Sequence, residues 1–342
     1  MSTLPPDPVP PDPVPPDPVP INPGWPDPSA PEPHLDGADL DPRWSGVRRG
    51  PLRAGERVRL TDPKGRRHSV LLEAGSTFFT HKGAIDHDEL IGRPDGTVVT
   101  SSGGVDYLAL RPLLAEFVVS MPRGAAVVYP KDAAQITVMA DIFPGAHVVE
   151  AGVGSGALTC TLLRAVGVAG RVTSYEKRAE FADIARQNVS TFFGGDHPAW
   201  RLHVGDLSLA LAERHVDRVI LDMLAPWECV AAVAEALAPG GVVCTYVATT
   251  TQLSRFVETV RAHDGFTEPQ AWESIVRDWH VEGLAVRPEH RMTGHTGFLI
   301  TARRLAPGVR TPRRSRRPSP GSYGPEYTGP RPAQVRETSP DD

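Results

Sequence analysis

Cysteine, long apolar runs and a strong positive charge are all lacking in this chain of 342 residues, and each shortage excludes something. Its three cysteines, Cys160, Cys229 and Cys244, are too few for a disulfide scaffold, and none stands in CxxC spacing. All three lie in apolar segments, where a thiol behaves as a small hydrophobe. No stretch approaches the roughly 18 uninterrupted apolar residues of a membrane span. No basic segment followed by an apolar run opens the chain, so the expected location is the cytoplasm. No histidine or cysteine cluster has metal-ligand spacing, and no metal is expected. A net charge of −5 excludes a uniformly cationic nucleic-acid binder, although not a local basic groove.

Lysine and arginine are wholly absent from residues 1–42, which hold eight acidic side chains and 16 of the 36 prolines. A further eight prolines fall in residues 303–342, with nine arginines against four acids. The middle is close to neutral, with 27 basic and 29 acidic side chains and an ordinary proline frequency. Pro5-Pro6-Asp7-Pro8-Val9 is repeated at residues 10–14 and 15–19. Such a repeat cannot form a hydrogen-bond ladder and reads as an extended polyproline spacer. Arg313-Arg314-Ser315-Arg316-Arg317 reads as part of a solvated basic tail. The expected division is a disordered tail over 1–46, a small β-rich domain over 47–112, a catalytic domain over 113–306 and a disordered tail over 307–342.

In the β-rich part, Val58–Leu60 and Ser69–Leu72 flank the turn Asp62-Pro63-Lys64-Gly65. Thr77–Thr80, Thr97–Thr100 and Tyr107–Leu110 follow as strands, His81-Lys82-Gly83 lies in a loop, and Leu113–Ser120 is helical. From about residue 130 strands alternate with helices, the pattern of a parallel α/β sheet. Helices are expected over Lys131–Ile142, Ala157–Val166, Arg178–Phe193, Glu228–Leu237 and Thr251–Ala262. The strands expected between them are His147–Glu150, Arg171–Tyr175, Arg201–Val204, Asp217–Leu221 and Gly241–Val247. Gln270–Val286 and Gly297–Ala302 read as two long strands. The expected fold is therefore α/β, a Rossmann-like doubly wound sheet closed by an antiparallel strand.

The first of these strands runs into Glu150-Ala151-Gly152-Val153-Gly154-Ser155-Gly156-Ala157. Glycines here let the backbone turn sharply and approach a ligand, and the next helix offers its amino-terminal NH groups. The turn satisfies both G-x-G-x-G and the dinucleotide form G-x-G-x-x-A. Glu176, at the end of the second strand, can accept hydrogen bonds from both hydroxyls of an adenosyl ribose. That ribose occurs in NAD and in S-adenosylmethionine alike. Three later features favour the methyl donor: Gly205-Asp206-Leu207 after the third strand, Asp222-Met223-Leu224-Ala225-Pro226-Trp227 after the fourth, and the tight turn Pro239-Gly240-Gly241 before the fifth.

Over residues 50 to 305 the chain resembles the bacterial, particularly actinobacterial, tRNA (adenine-58-N1)-methyltransferase TrmI family of class I S-adenosylmethionine-dependent enzymes. Beyond the glycine turn and Glu176, the resemblance is carried by Tyr129-Pro130-Lys131-Asp132-Ala133-Ala134-Gln135-Ile136 and by Tyr246-Val247-Ala248-Thr249-Thr250-Thr251-Gln252-Leu253. Arg287-Pro288-Glu289-His290 and Gly294-His295-Thr296-Gly297-Phe298-Leu299 complete it. The resemblance implies a tRNA substrate, S-adenosylmethionine as cofactor and a homotetramer. It implies a cofactor site of Gly152, Gly154, Ser155, Gly156, Ala157, Leu158, Glu176, Asp206 and Asp222, with Asp222 and Tyr129 as catalytic residues. Asp222 would accept a hydrogen bond from the exocyclic amine of adenine, and Tyr129 would position the base.

Other readings find less support. A class I methyltransferase for another substrate leaves the β-rich domain unexplained. A nicotinamide oxidoreductase lacks a hydride-transfer His/Arg or Tyr/Lys set. A non-catalytic RNA-binding subunit has no need of Glu176, Asp206 and Asp222. His290 and His295 read as structural or pocket-wall residues, and Trp272 and Trp279 as packing residues. Arg48, Arg49, Lys64, Arg66, Arg67 and Lys82 place cations for RNA in the β-rich part.

Overall fold

The computed structural model describes residues 42–311, 319 and 321–329, so the proline repeat and the run Arg313–Arg317 lie outside the described residues. The β-rich part contains β1 (Arg57–Thr61), β2 (Arg67–Leu71), β3 (Thr77–Thr80), β4 (Gly83–Asp86), β5 (Thr97–Thr100) and β6 (Asp106–Leu110). Four of these form an antiparallel sheet in the order β2-β1-β6-β5, and β3 pairs with β4. Alternation drives Val58, Leu60, Val70, Val99, Tyr107 and Ala109 into one core. The β1–β2 turn is fixed by Asp62, whose Oδ1 accepts the backbone NH groups of Lys64 and Arg66 at 2.9 Å each. Strand β4 was not expected: the stretch read as a loop ends at Gly83, where the chain turns back on β3. Arg48 is taken up by Glu56 and the Thr191 carbonyl, and Arg66, itself exposed, pairs with Asp62, whereas Arg49, Lys64, Arg67 and Lys82 stay exposed without such a carboxylate partner among the described residues.

The remainder comprises α1 (Leu114–Ser120), α2 (Pro130–Met139), β7 (His147–Ala151), α3 (Ala157–Val166), β8 (Arg171–Glu176), α4 (Ala179–Phe193), β9 (Trp200–Val204) and α5 (Leu207–Ala210). There follow β10 (Val216–Asp222), α6 (Val230–Ala236), β11 (Leu237–Val247), α7 (Thr250–His263), β12 (Gln270–Trp272), β13 (Trp279–Glu282), β14 (Ala285–Pro288) and β15 (Phe298–Arg303). Seven strands form one sheet in the order β12-β15-β11-β10-β7-β8-β9. The pairs from β11 through β9 are parallel, and β15 runs antiparallel to both β11 and β12.

Successive strand residues feed two cores, one on each face. Val148, Ile220, Cys244 and Leu299 pack with α1 to α4, while Val149, Val219, Val243 and Ile300 pack with α5 to α7. A parallel sheet covered on both faces needs such continuous apolar strands. The cysteines are buried in these cores, and burial pushes the Cys229 and Cys244 thiols up to about 11 and about 12.

Three segments depart from expectation. Helix α2 stops at Met139 because Asp141 adopts a left-handed φ of 53° and the Arg218 guanidinium takes the carbonyls of Ala140 and Asp141. Pro239-Gly240-Gly241 is a bulge inside β11, with Val216 opposite Leu237 and Arg218 already opposite Val242. Gln270–Val286 is not one strand. It leaves the sheet after Trp272 and reappears as the separate β13–β14 hairpin, because Ser274 is drawn into a buried polar cluster described below. In the basic C-terminal stretch, Tyr323 donates to Glu258 Oε2 of α7 at 3.0 Å.

Candidate active site

The carboxyl ends of β7, β8, β9 and β10 lie along one edge of the sheet, and the strand order reverses between β7 and β10. Such a switch point opens a crevice outside the strand ends. Gly152, Gly154 and Gly156 all have positive φ, at 81°, 54° and 82°, so the turn between β7 and α3 requires residues without a side chain. Gly152 is constrained further: a Cβ there would lie 1.7 Å from the Asp222 carbonyl oxygen.

Glu176 folds back onto the same turn. Its Oε2 accepts the Gly154 NH and its Oε1 the Arg178 NH, each at 3.0 Å, leaving lone pairs on both oxygens for further donors. Ser155 is buried, and its hydroxyl accepts from Gly124 NH at 3.3 Å. Asn188, which sequence reasoning did not single out, bridges the Pro122 and Ser155 carbonyls at 2.9 Å each and so holds the segment before α2 against the turn. Ala157 and Leu158 have side chains buried in the core, so only their backbone can face a ligand.

Asp206 is partly committed. Its Oδ1 caps α5, accepting from the Ser208 NH and hydroxyl, and its Oδ2 lies 3.1 Å from the Lys177 ammonium. Ser208 first, and then Lys177, hold this carboxyl below the ordinary aspartate value.

Asp222 is different. It stands half-buried at the end of β10, and its carboxylate has no hydrogen-bond or ion-pair partner among the described residues. Burial, with the nearby Glu176 charge, pushes its carboxyl up to about 7. Beneath it, Glu150 is fully buried and is pushed by burial to about 7 as well. Glu150 Oε2 accepts from the Thr159 and Ser174 hydroxyls at 2.8 and 2.6 Å, while Oε1 has no partner.

Tyr129 occupies the residue before α2 and is 40% exposed, which removes it from the packing core. Tyr246, not assigned a role from the sequence, pairs in register with Asp222 and donates from its phenol to the Thr296 carbonyl at 2.7 Å. It lies within electrostatic reach of Tyr129, Asp132 and Asp222, and burial raises its phenol to about 12. The visible signal for it was an aromatic at the end of the strand beside the one carrying Asp222.

Around this edge, Gln252 of α7 donates to the Leu224 carbonyl at 2.9 Å and fixes the loop that follows Asp222. Arg255 lies 4.3 Å over the Trp227 ring. His295 bridges Glu273 and the Ala248 carbonyl, as a wall residue would. Trp272 is a packing residue, but Trp279 is 58% exposed on the hairpin, contrary to expectation, because β13 has left the sheet. Among the described residues no group of three His, Cys, Asp or Glu side chains can hold a metal ion. A separate cleft of about 270 Å³ lies at the opposite edge, between Arg218, Gly240 and Arg303, and contains none of the candidate site residues.

Residues 50–99 match the TrmI-like N-terminal family, and residues 107–287 match the tRNA methyltransferase complex GCD14 subunit family. A tRNA (adenine(58)-N(1))-methyltransferase TrmI of Thermus thermophilus is 37% identical over 246 residues, covering 72% of this chain and 95% of the relative. The chain belongs to the TrmI family. A TrmI of Methanocaldococcus jannaschii, named for adenines 57 and 58, is 31% identical over 71% of this chain and 93% of its own. Among solved structures, a TrmI of Aquifex aeolicus superposes with a TM-score of 0.66 at 25% identity, over 75% of this chain and all of that one. A solved structure of an S-adenosylmethionine-dependent O-methyltransferase from Thermotoga maritima reaches 0.71 at 34% identity, over 75% of this chain and 95% of that one.

Proposed function

We propose that this chain transfers a methyl group from S-adenosylmethionine to N1 of adenine 58 in the T-loop of tRNA, releasing S-adenosylhomocysteine. Membership of the TrmI family supports the substrate, and one observation carries the chemistry: Asp222 is an unpartnered carboxylate at the switch point with its pKa raised towards neutrality.

The site fits the cofactor. The glycine turn is open where a Cβ would obstruct, and Glu176 retains acceptor capacity for ribose hydroxyls. In this reading Gly152, Gly154, Ser155 and Gly156, with the backbone of Ala157 and Leu158, cradle the amino-acid portion. Asp206 offers its Oδ2 to the adenine amine of the cofactor. S-adenosylmethionine, when bound, supplies an electrophilic methyl group on a sulfonium.

Adenine N1 is a weak nucleophile, and methylation leaves the base cationic. Asp222 accepts a hydrogen bond from the exocyclic amine, stabilises that developing charge and can take up an amino proton. Tyr129, exposed at the head of α2, contacts the base and aligns it. Because the target adenine is stacked in folded tRNA, it must leave its stack to reach Asp222, and contacts to the RNA offset that cost of a few kcal/mol.

In the same reading residues 47–112 form a β-rich domain and 113–306 the catalytic domain, and the enzyme works in the cytoplasm as a homotetramer. The β13–β14 hairpin supports assembly. Trp279, Val281 and Val286 share one exposed face of a two-stranded ribbon, an apolar surface of the kind that subunit contacts cover. The reading is tested with radiolabelled S-adenosylmethionine and an unmodified tRNA transcript, followed by mapping of the labelled nucleotide. Label on N1 of adenine 58 is expected, and transfer to any other acceptor alone would refute it.

A further inference from the structure

Four polar side chains from three separate segments meet beside the base side of the cleft, and the chemistry above leaves them unused. The Lys131 ammonium lies 2.7 Å from Asp132 Oδ1, and donates to the Ser274 carbonyl at 2.7 Å and to Thr296 Oγ1 at 2.6 Å. Thr296 Oγ1 donates to Asp132 Oδ2 at 2.6 Å, and Ser274 Oγ donates to Asp132 Oδ1 at 3.1 Å. The Asp132 side chain is wholly buried and that of Lys131 is 7% exposed.

A buried ion pair is a poor device for stability alone, because apolar side chains of similar volume often serve as well or better. It does impose direction. Ammonium and carboxylate accept partners only at defined positions, here on segments more than 140 residues away in sequence. Neither Ser274 nor Thr296 lies in a helix or strand, so side-chain contacts such as these must hold them in place.

From this cluster to the chemistry is a short path. Tyr129 immediately precedes the helix that carries the pair. The Thr296 carbonyl accepts the Tyr246 phenol, and Gly297 sits so close to that ring that a Cβ would be 2.4 Å from its Cζ. Tyr246 stands opposite Asp222 in the β10–β11 register.

We propose that the Lys131–Asp132 pair is a positioning device for methyl transfer. By fixing Ser274 and Thr296 it holds Tyr246, and so the pocket wall beside Asp222, in the arrangement that presents the adenine ring to the methyl donor. The inference rests on the methyltransferase reading.

The test compares full-length wild type with Lys131→Met, with the double variant Lys131→Met/Asp132→Leu and with Thr296→Val. Each is assayed for kcat on a tRNA transcript, affinity for S-adenosylmethionine and thermal midpoint. Lys131→Met leaves a buried carboxylate without its cation and lowers the midpoint, whereas the double variant removes both charges and regains it. Positioning requires kcat to stay about 100-fold down in both, with cofactor affinity within about twofold of wild type. Thr296→Val keeps both charges and is expected to lower kcat about tenfold. A double variant that regains kcat together with its midpoint overturns the proposal, as does unchanged kcat in Lys131→Met or Thr296→Val. Wild type that places no methyl group on adenine overturns the underlying reading and the proposal with it, and shows this before any substitution is made.

Discussion

The α-carbon of Gly152 and the carbonyl oxygen of Asp222 leave no room between them for a methyl group: a Cβ on the former would lie 1.7 Å from the latter. The glycine turn proposed to cradle the cofactor and the strand end that carries Asp222 are thus in backbone contact. Gly152→Ala adds strain at a φ of 81° as well as the clash. It is expected to lower stability by at least about 2 kcal/mol and to weaken S-adenosylmethionine binding, read by thermal unfolding and calorimetry. Binding equal to wild type would show that the contact is dispensable.

In the proposed mechanism Asp222 acts as a carboxylate, and burial raises its folded-state pKa to about 7. Activity therefore rises with pH through about 7 and levels off above it, because the charged form is the acceptor. Asp222→Asn is expected to lower kcat at least about 100-fold and to abolish that rising limb, while tRNA affinity is largely kept. Single-turnover rates across the neutral range, from mildly acidic to mildly basic buffer, read both effects. A limb that survives the substitution belongs to another group.

Glu150 governs a different pH dependence, that of stability. Its folded pKa of about 7 lies above the ordinary 4.5, so the native state binds a proton that the unfolded chain releases. Stability contributed by the neutral form is complete below about 4.5 and is lost as pH rises to about 7, by on the order of 3 kcal/mol. Asp222 adds in the same sense. Glu150→Gln is expected to remove about half of the slope in denaturant midpoint between those two pH values, Asp222 supplying the rest, and an unchanged slope would remove Glu150 as a source.

The hairpin makes a prediction about assembly. Trp279→Glu places a charge on the face shared by Val281 and Val286 without touching either core. Light scattering is expected to give a smaller particle than wild type at equal concentration. An unchanged mass would show that the hairpin face is not a subunit contact.

Much of the scaffold was legible because it is written in local patterns. Strands β3 and β5 fall on Thr77–Thr80 and Thr97–Thr100, segments of aromatic and β-branched residues, and the glycine turn and switch-point acid follow from their positions after β7 and β10. What escaped is non-local. No periodicity links Lys131 to Ser274 or Thr296, and so none reveals why the strand begun at Gln270 ends at Trp272. Asp206 shows a subtler limit: its spacing suits a ligand, yet one of its oxygens is used as a helix cap, a division only coordinates can display.

The early end of β12 also bears on solubility. A sheet margin offers unpaired NH and carbonyl groups to any passing strand, and a long flat margin invites stacking of chain on chain. Here that margin is three residues long, and the length that would have extended it, Trp279 to Pro288, is paired with itself instead. Drawing Ser274 inward leaves the seven-stranded sheet with an end too short to template an eighth.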